Sequence, residues 1–266
     1  TQPDSAKFYL AQGGQQLYQL LLAPILETYP QCNQLLIAPN DILSALPYAI
    51  LLPSSEQLVD QAYRNWPFLL RNYNLSYAYS ASVWLEQSQR KTPNKARYLA
   101  AFAPRYETSD TSSQVSANPA QDIPTRSLPY ALREAKAICD LTGGDLFAGS
   151  TATKSGFWTT VDRYRLLHLA MHGVVEADNP SFSRLIFTND SSAQTTILYA
   201  NELYNQQLNF DLVVLSACNT GVGESVQSEG MLSLGHAFAG AGASATVITL
   251  WPVADAAGMQ LISSFY

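Results

Sequence analysis

The chain has 266 residues, a mass of 29.1 kDa and 47% hydrophobic residues, which is ample for one large domain or two modest ones. Only 14% of the residues are charged, against about 25% in typical soluble domains. We therefore expect part of its surface to face a partner, or the sequence to be a piece of a longer polypeptide. The net charge of -6 and the scattered Lys and Arg residues argue against sustained contact with a nucleic-acid backbone.

Three cysteines, Cys32, Cys139 and Cys218, are too few and too widely spaced for a disulfide framework or a zinc site. No signal peptide pattern opens the sequence. The longest weakly polar run, 237–251, is about 15 residues long, whereas a membrane helix needs roughly 20. These features predict a cytoplasmic protein without a membrane-inserted segment.

The first half of the sequence predicts one amphipathic helix and three short strands. Apolar residues at helical spacing predict the helix over 8–27, and short apolar runs predict the strands. The strands cover 34–38, 75–79 and 97–102.

Residues 107–127 are dominated by Ser, Thr, Asp, Asn, Gln and Pro and contain no aromatic residue. Such a composition cannot bury enough apolar surface to offset the entropy of ordering it, so we predict a linker or mobile loop. It separates an N-terminal α/β subdomain, 1–106, from a second subdomain, 128–266.

The second subdomain alternates between helix and strand patterns. Its strands are continuously apolar rather than alternating, which is typical of a parallel sheet with helices on both faces. The predicted helices are 130–142, 151–163, 229–239 and 255–266, and the predicted strands are 145–148, 164–170, 184–188, 211–216 and 245–250.

Two strand ends carry residues suited to chemistry, and ligands bind beyond the carboxyl ends of strands in open α/β sheets. Residues 166–173 read LLHLAMHG and residues 212–221 read LVVLSACNTG. The separation between His172 and Cys218 lets both strands lie side by side in one sheet, so the imidazole and the thiol can meet above it.

A Cys–His pair at this edge predicts nucleophilic catalysis. Imidazole promotes formation of the thiolate, which is the nucleophile. The backbone N–H groups of Gly173 and Cys218 are candidates for stabilising the oxyanion that follows. This chemistry needs no metal and no cofactor.

The remaining cysteines and histidines are predicted to be structural. Cys32 and Cys139 are interpreted as small buried hydrophobes, since Cys139 lies on the core-facing stripe of a predicted helix and Cys32 precedes a strand without a nearby histidine. His168 is interpreted as a hydrogen-bonded core residue, and His236 as a packing residue within a helix.

The sequence resembles the CHAT domain family over nearly its whole length. The resemblance is carried by HG at 172–173, SACNTG at 216–221, EG at 229–230 and SATVITLWPV at 244–253, and by earlier motifs in the same order. These earlier motifs are LIAPN at 36–40, LPY at 46–48, YAYSAS at 77–82 and GSTAT at 149–153.

The resemblance implies a three-layer, caspase-like α/β fold and a bacterial cysteine endopeptidase of the caspase–separase class. It assigns the nucleophile to Cys218, the base to His172 and the oxyanion hole to Gly173 and Cys218. It also implies a degenerate, protease-like N-terminal subdomain, and further helix beyond Tyr266. The alternative is a catalytically idle module that serves as a docking or signalling scaffold. A serine hydrolase is disfavoured, because no Gly-x-Ser-x-Gly motif occurs.

The expected partners are a protein substrate and a tetratricopeptide repeat module, upstream or in trans, that gates activity through the loops 174–183 and 219–228. In relatives of this fold, the position two before the nucleophile lines the pocket for the residue on the acyl side of the scissile bond. Here that position is the uncharged Ser216. A charged substrate residue would need its counter-charge from another segment, with Asp178 or Glu176 as candidates for a basic residue and Arg184 for an acidic one. Because Ser216 is uncharged, we expect the pocket to accept a neutral residue.

Overall fold

The structure is a computed structural model with two compact units, Thr1–Leu85 and Glu86–Tyr266. The side chains of 45, 228–233 and 255 are not described. The described residues are 5–56, 58–90, 94–106, 128–176, 179–189, 196–216, 228–249 and 253–266.

The first unit contains two helices and a two-stranded parallel sheet. These are α1 (Ser5–Leu21), α2 (Ala23–Thr28), β1 (Gln34–Ile37) and β2 (Asn74–Tyr77), and the boundary between the units falls within α3 (Ala81–Gln89). The predicted helix over 8–27 is confirmed but is interrupted at Leu22, because Pro24 has no N–H to bond the carbonyl four residues earlier and its ring clashes with that carbonyl.

The second unit is built on a five-stranded parallel sheet of order β10-β9-β5-β3-β4. Its strands are β3 (Arg97–Ala103), β4 (Asp145–Ala148), β5 (Tyr164–Leu169), β9 (Leu212–Leu215) and β10 (Thr246–Ile248). The predicted parallel sheet is therefore confirmed. Leu99 to Ala103 are all buried, as expected for a strand covered on both faces.

Helices pack against both faces of this sheet. Along β3, Leu99 and Ala101 belong to one core cluster, and Ala100 and Phe102 to the other. The first cluster includes residues of α4 (Pro129–Thr142) and α8 (Asp255–Phe265), and the second includes residues of α5 (Lys154–Thr160) and α7 (Ser228–Gly240). The predicted helix 130–142 corresponds to α4, which ends just before Gly143, whose positive φ of 70° suits glycine.

A small antiparallel sheet was not predicted. It consists of β6 (His172–Val174), β7 (Arg184–Ile186) and β8 (Ile197–Tyr199), followed by the short helix α6 (Ala200–Leu203). Of these strands only β7 falls within a predicted one. Strands of three residues are too short to show a period in the sequence.

Strand β3 belongs to the second unit, although residues 97–102 fall within the predicted first subdomain, 1–106. It pairs with β4 and β5 in the sheet of the second unit. Pairing between strands that are far apart in the chain leaves no local trace in the sequence. The change of composition after residue 106 therefore does not mark the boundary between the two units, which falls after Leu85. The predicted linker, 107–127, lies outside the described residues.

Candidate functional site

The carboxyl ends of β5 and β9 lie next to each other. The two strands pair in parallel, with Leu169 opposite Leu215, which confirms that they are neighbours in one sheet. His172 follows β5 by three residues, and the partly buried Ser216 follows β9 directly. Cys218 lies two residues further on, outside the described part of the chain.

His172 does not continue β5 but opens strand β6 of the small sheet. After Leu169 the chain stays attached to the parallel sheet by one more bond, in which the Ala170 N–H donates to the Phe102 carbonyl at 2.9 Å. His172 then pairs with Ile186 of β7, and its side chain is fully buried. The backbone thus changes sheets immediately before the candidate base.

Tyr106, just after β3, contacts His172 in two ways. The backbone N–H of His172 donates to the Tyr106 hydroxyl at 2.9 Å, and that hydroxyl donates to the Ile186 carbonyl at 2.8 Å. The two rings pack with centroids 4.3 Å apart at an interplanar angle of 48°. Burial raises the pKa of Tyr106, so the hydroxyl remains a donor.

The sequence does not reveal Tyr106 as a functional residue. It is the last residue before the polar segment 107–127 and falls within the predicted first subdomain, 1–106. Its proximity to His172 depends on the pairing of β3 with β5, because that pairing brings the chain after β3 beside the chain after β5. No local pattern in the sequence signals this contact.

The Gly173 N–H points away from β7. The Phe187 N–H donates to the Thr196 carbonyl, and the Ala200 N–H donates to the Ser183 carbonyl. The backbone N–H and C=O groups of the odd-numbered residues in and beside β7 therefore point towards β8. By the alternation of an antiparallel ladder, Arg184 and Ile186 face β6, opposite Val174 and His172. Gly173 therefore directs its N–H to the outer edge of β6.

Two of the candidate pocket charges face each other. Arg184 Nη1 lies 2.5 Å from Glu176 Oε1, with the Arg184 side chain 3% exposed and that of Glu176 38% exposed. The Glu176 backbone N–H also donates to Ser183 Oγ at 3.2 Å, which fixes the segment that carries the carboxylate. Asp178, the third candidate charge, lies outside the described residues.

The other cysteines and histidines lie in varied environments. Cys139 is buried as predicted, and burial raises the pKa of its thiol to about 11. Cys32 is exposed, so the prediction that it is buried is wrong. His236 lies on α7, within the predicted helix; the residue is exposed overall, although partial burial lowers the pKa of its imidazole.

His168 is a core residue, as predicted. It is fully buried, and its Nε2 lies 3.0 Å from Oε1 of Glu134 on α4. Its Nδ1 lies 3.4 Å from the hydroxyl of Tyr266, just after α8. Glu134 was not identified from the sequence, since a carboxylate on a helix is usually exposed.

Within the described part of the chain, no group of three or more His, Cys, Asp or Glu residues is arranged to hold a metal ion. No described helix is long and apolar enough to cross a membrane.

The fold and the strand-end residues define the chain as an α/β protein with a parallel sheet and a histidine beyond its carboxyl edge. The chain belongs to the CHAT domain family, a caspase-like family, which it matches over residues 12–266. The resemblance seen in the sequence is thereby confirmed.

Two curated proteins illustrate its relatives. The chain is similar to "Tetratricopeptide repeat protein 28" of Homo sapiens, with 25% identity over 297 residues, 94% of this chain and 11% of the human protein. The mouse protein of that name is 27% identical over 214 residues, 65% of this chain and 9% of the mouse protein. The chain thus spans only about a tenth of the length of these relatives.

Proposed function

We propose that the chain is a cysteine endopeptidase of the caspase type, with Cys218 as nucleophile and His172 as general base. The observation that carries this proposal is the pairing of β5 with β9, because it brings the segments that lead to His172 and Cys218 to one edge of the sheet. Membership of the CHAT family supports the same assignment.

The reaction follows from these two side chains. His172 accepts the thiol proton of Cys218, and the thiolate attacks the carbonyl carbon of a peptide bond. The tetrahedral intermediate collapses as the C–N bond breaks, and the imidazolium donates its proton to the departing amine. Water then attacks the thioester while His172 takes a proton from it, which releases the carboxylic acid and restores the thiol.

The oxyanion of the tetrahedral intermediate needs donors that are in place before it forms. The outward direction of the Gly173 N–H supports its role as one of them, since a donor at the edge of β6 is available to a substrate. We assign the second donor to the Cys218 N–H, as the family resemblance implies.

The pocket is proposed to accept a neutral side chain of medium size. Glu176 and Arg184 form an ion pair, so neither charge is unbalanced for a substrate to recognise. Ser216, at the position two before the nucleophile, is uncharged. A charged substrate residue would have to break the Arg184–Glu176 ion pair before it could form its own. The net gain in binding free energy would be small, because one ion pair replaces another.

The fold assignment extends to the first unit. We propose that the helices and parallel strands of that unit are a degenerate, protease-like subdomain, and that the sheet of the second unit is caspase-like. The parallel pairing of β1 with β2 beside two helices and the family membership support this reading.

A second candidate function is a catalytically idle scaffold. The complete burial of His172 favours it, since a base must reach its substrate. We reconcile burial with catalysis by proposing that a partner or an attached repeat module gates access in the cytoplasm. The tetratricopeptide repeats in the name of the curated relatives support such a module.

Digestion of a diverse peptide library, read by mass spectrometry, separates the two functions. A peptidase cleaves the library, and both Cys218→Ala and His172→Ala abolish cleavage. Cys32→Ala removes an exposed cysteine and is the matched control, which should retain full activity. Equal cleavage by the wild type and Cys218→Ala would overturn the peptidase assignment in favour of the scaffold.

A further inference from the structure

We propose that Tyr106 is a positioning residue whose hydroxyl bridges strands β6 and β7 and thereby sets the place of both His172 and Gly173. This inference rests on the proposed function, in which His172 is the base and Gly173 an oxyanion donor. It adds a residue from the segment after β3 to a site otherwise built from the segments after β5 and β9.

The bridge lies within the backbone ladder itself. At the hydrogen-bonded positions of an antiparallel pair, which alternate with non-hydrogen-bonded ones, the two opposed residues exchange N–H and C=O hydrogen bonds directly, and the alternation along β7 makes His172 and Ile186 such a position. At the pair of His172 with Ile186, the Tyr106 hydroxyl accepts the N–H at 2.9 Å and donates to the carbonyl at 2.8 Å. A side chain from a third segment therefore controls the first residue pair of β6.

The position of Gly173 depends on this bridge because β6 is only three residues long. Its register begins at His172 and continues through Gly173 opposite Leu185 and Val174 opposite Arg184. If the hydroxyl is removed, the His172 N–H and the Ile186 carbonyl must either close on each other or lose a buried partner. Either change disturbs the backbone of β6, which carries both the imidazole and the Gly173 N–H.

The ring of Tyr106 has a separate effect on the imidazole. With its centroid 4.3 Å from that of His172, it restricts rotation of the imidazole about its side-chain bonds. An aromatic face also attracts a cation, so it stabilises the imidazolium that forms when His172 accepts the thiol proton. The hydroxyl thus positions the backbone, and the ring orients the reacting group.

Backbone amide exchange in the unmodified protein tests the bridge without any variant. We expect the His172 amide, which is buried and bonded, to exchange slowly, and the Gly173 amide at the strand edge to exchange faster. The reverse order would overturn the proposal. This measurement does not depend on catalysis, so it remains decisive if the chain proves to have no peptidase activity.

Two substitutions separate the hydroxyl from the ring. Tyr106→Phe should lower kcat by about 10- to 100-fold, the usual effect of a small displacement of reacting groups, with KM nearly unchanged. The His172 backbone amide of Tyr106→Phe should exchange its hydrogen at a different rate from that of the wild type. Tyr106→Leu should in addition broaden or shift the imidazole NMR signals of His172, because the ring that restrains it is gone.

Tyr164→Phe is the matched control, since Tyr164 is another buried tyrosine, bonded through its hydroxyl to Asp145 Oδ2 at 2.8 Å at the opposite end of β5. It should lower the free energy of unfolding to a similar extent without changing kcat or the His172 signals. Equal kcat for Tyr106→Phe and Tyr164→Phe, with an unchanged His172 amide, would overturn the positioning role. Loss of all hydrolysis in the wild type would instead count against the proposed function alone.

Discussion

At the scale of single residues, specific neighbours fix the chemical state of the side chains around the β5–β9 edge. Burial keeps the Tyr106 hydroxyl protonated, so that it can donate to Ile186. The carboxylate of Glu176 balances the buried guanidinium of Arg184. In each case a single contact, which a conservative substitution can remove, sets the hydrogen bonding or the charge balance of the side chain.

The Arg184–Glu176 pair leads to a prediction about specificity. In Glu176→Gln the guanidinium loses its counter-charge, so cleavage after Asp or Glu should rise relative to cleavage after neutral residues. We expect a change of at least about tenfold, since a hydrogen bond to a charged group contributes about 1.5 kcal/mol. The measurement is the ratio of kcat/KM for peptides that differ only at that position.

Glu86→Gln is the control for this substitution, because Glu86 pairs with Arg90 at a site where its own side chain is 70% exposed. It should leave the ratio unchanged. If Glu176→Gln has the same specificity as the wild type, Arg184 does not contact the substrate residue on the acyl side of the scissile bond.

Cys139 leads to a prediction about stability at alkaline pH. Its pKa in the folded protein is about 11, above its ordinary value of 9.0, so from pH 9 to 11 the unfolded chain binds fewer protons than the folded chain. The free energy of unfolding should therefore fall as pH rises through this window. Comparison with Cys139→Ala isolates the contribution of the thiol from that of the tyrosines, and an equal alkaline decline in both proteins would contradict the prediction.

At the scale of elements, buried polar contacts connect the central strand to the helices on one face of the sheet. His168 of β5 meets Glu134 of α4 and, through its other ring nitrogen, Tyr266 after α8. Burial raises the pKa of Tyr266, so that its hydroxyl stays protonated beside the imidazole. These contacts fix how α4 and α8 lie on the sheet.

Removal of Glu134 should therefore be costly. Glu134→Ala leaves the buried His168 without its Nε2 partner, and we expect a loss of about 1–3 kcal/mol in the free energy of unfolding, measured with urea. Glu134→Gln retains a polar partner and should lose less. Glu86→Ala, which breaks an exposed pair, should change stability by less than about 1 kcal/mol, and an equally small effect of Glu134→Ala would refute the role of this contact.

At the scale of the whole molecule, the sequence predicted what local composition can encode. Continuous apolar runs predicted the strands of the parallel sheet, such as Leu212–Leu215, and the predicted helix 130–142 matches α4 to within one residue. The assignment of β3 to the second unit depends on pairing with β4 and β5, which no local pattern encodes. The contacts of Tyr106 and Glu134 escaped prediction for the same reason.

Gating is a property of the whole molecule and leads to a prediction for the chain alone. Because His172 is buried, the purified chain should hydrolyse peptides slowly, with kcat below the ordinary enzymatic range of about 1–10³ s⁻¹. Steady-state assays of the purified chain provide the measurement. A kcat within that range in the absence of any partner would show that access to His172 needs no gating.

The central claim, a reactive pair of Cys218 and His172, is tested most directly by the rate of thiol alkylation at pH 6.5. The exposed Cys32 provides an internal standard in the same molecule. If the imidazole of His172 stabilises the thiolate, iodoacetamide should modify Cys218 at least about tenfold faster than Cys32, and His172→Ala should remove that advantage. Labelling of Cys218 no faster than Cys32, or an unchanged rate in His172→Ala, would contradict the account.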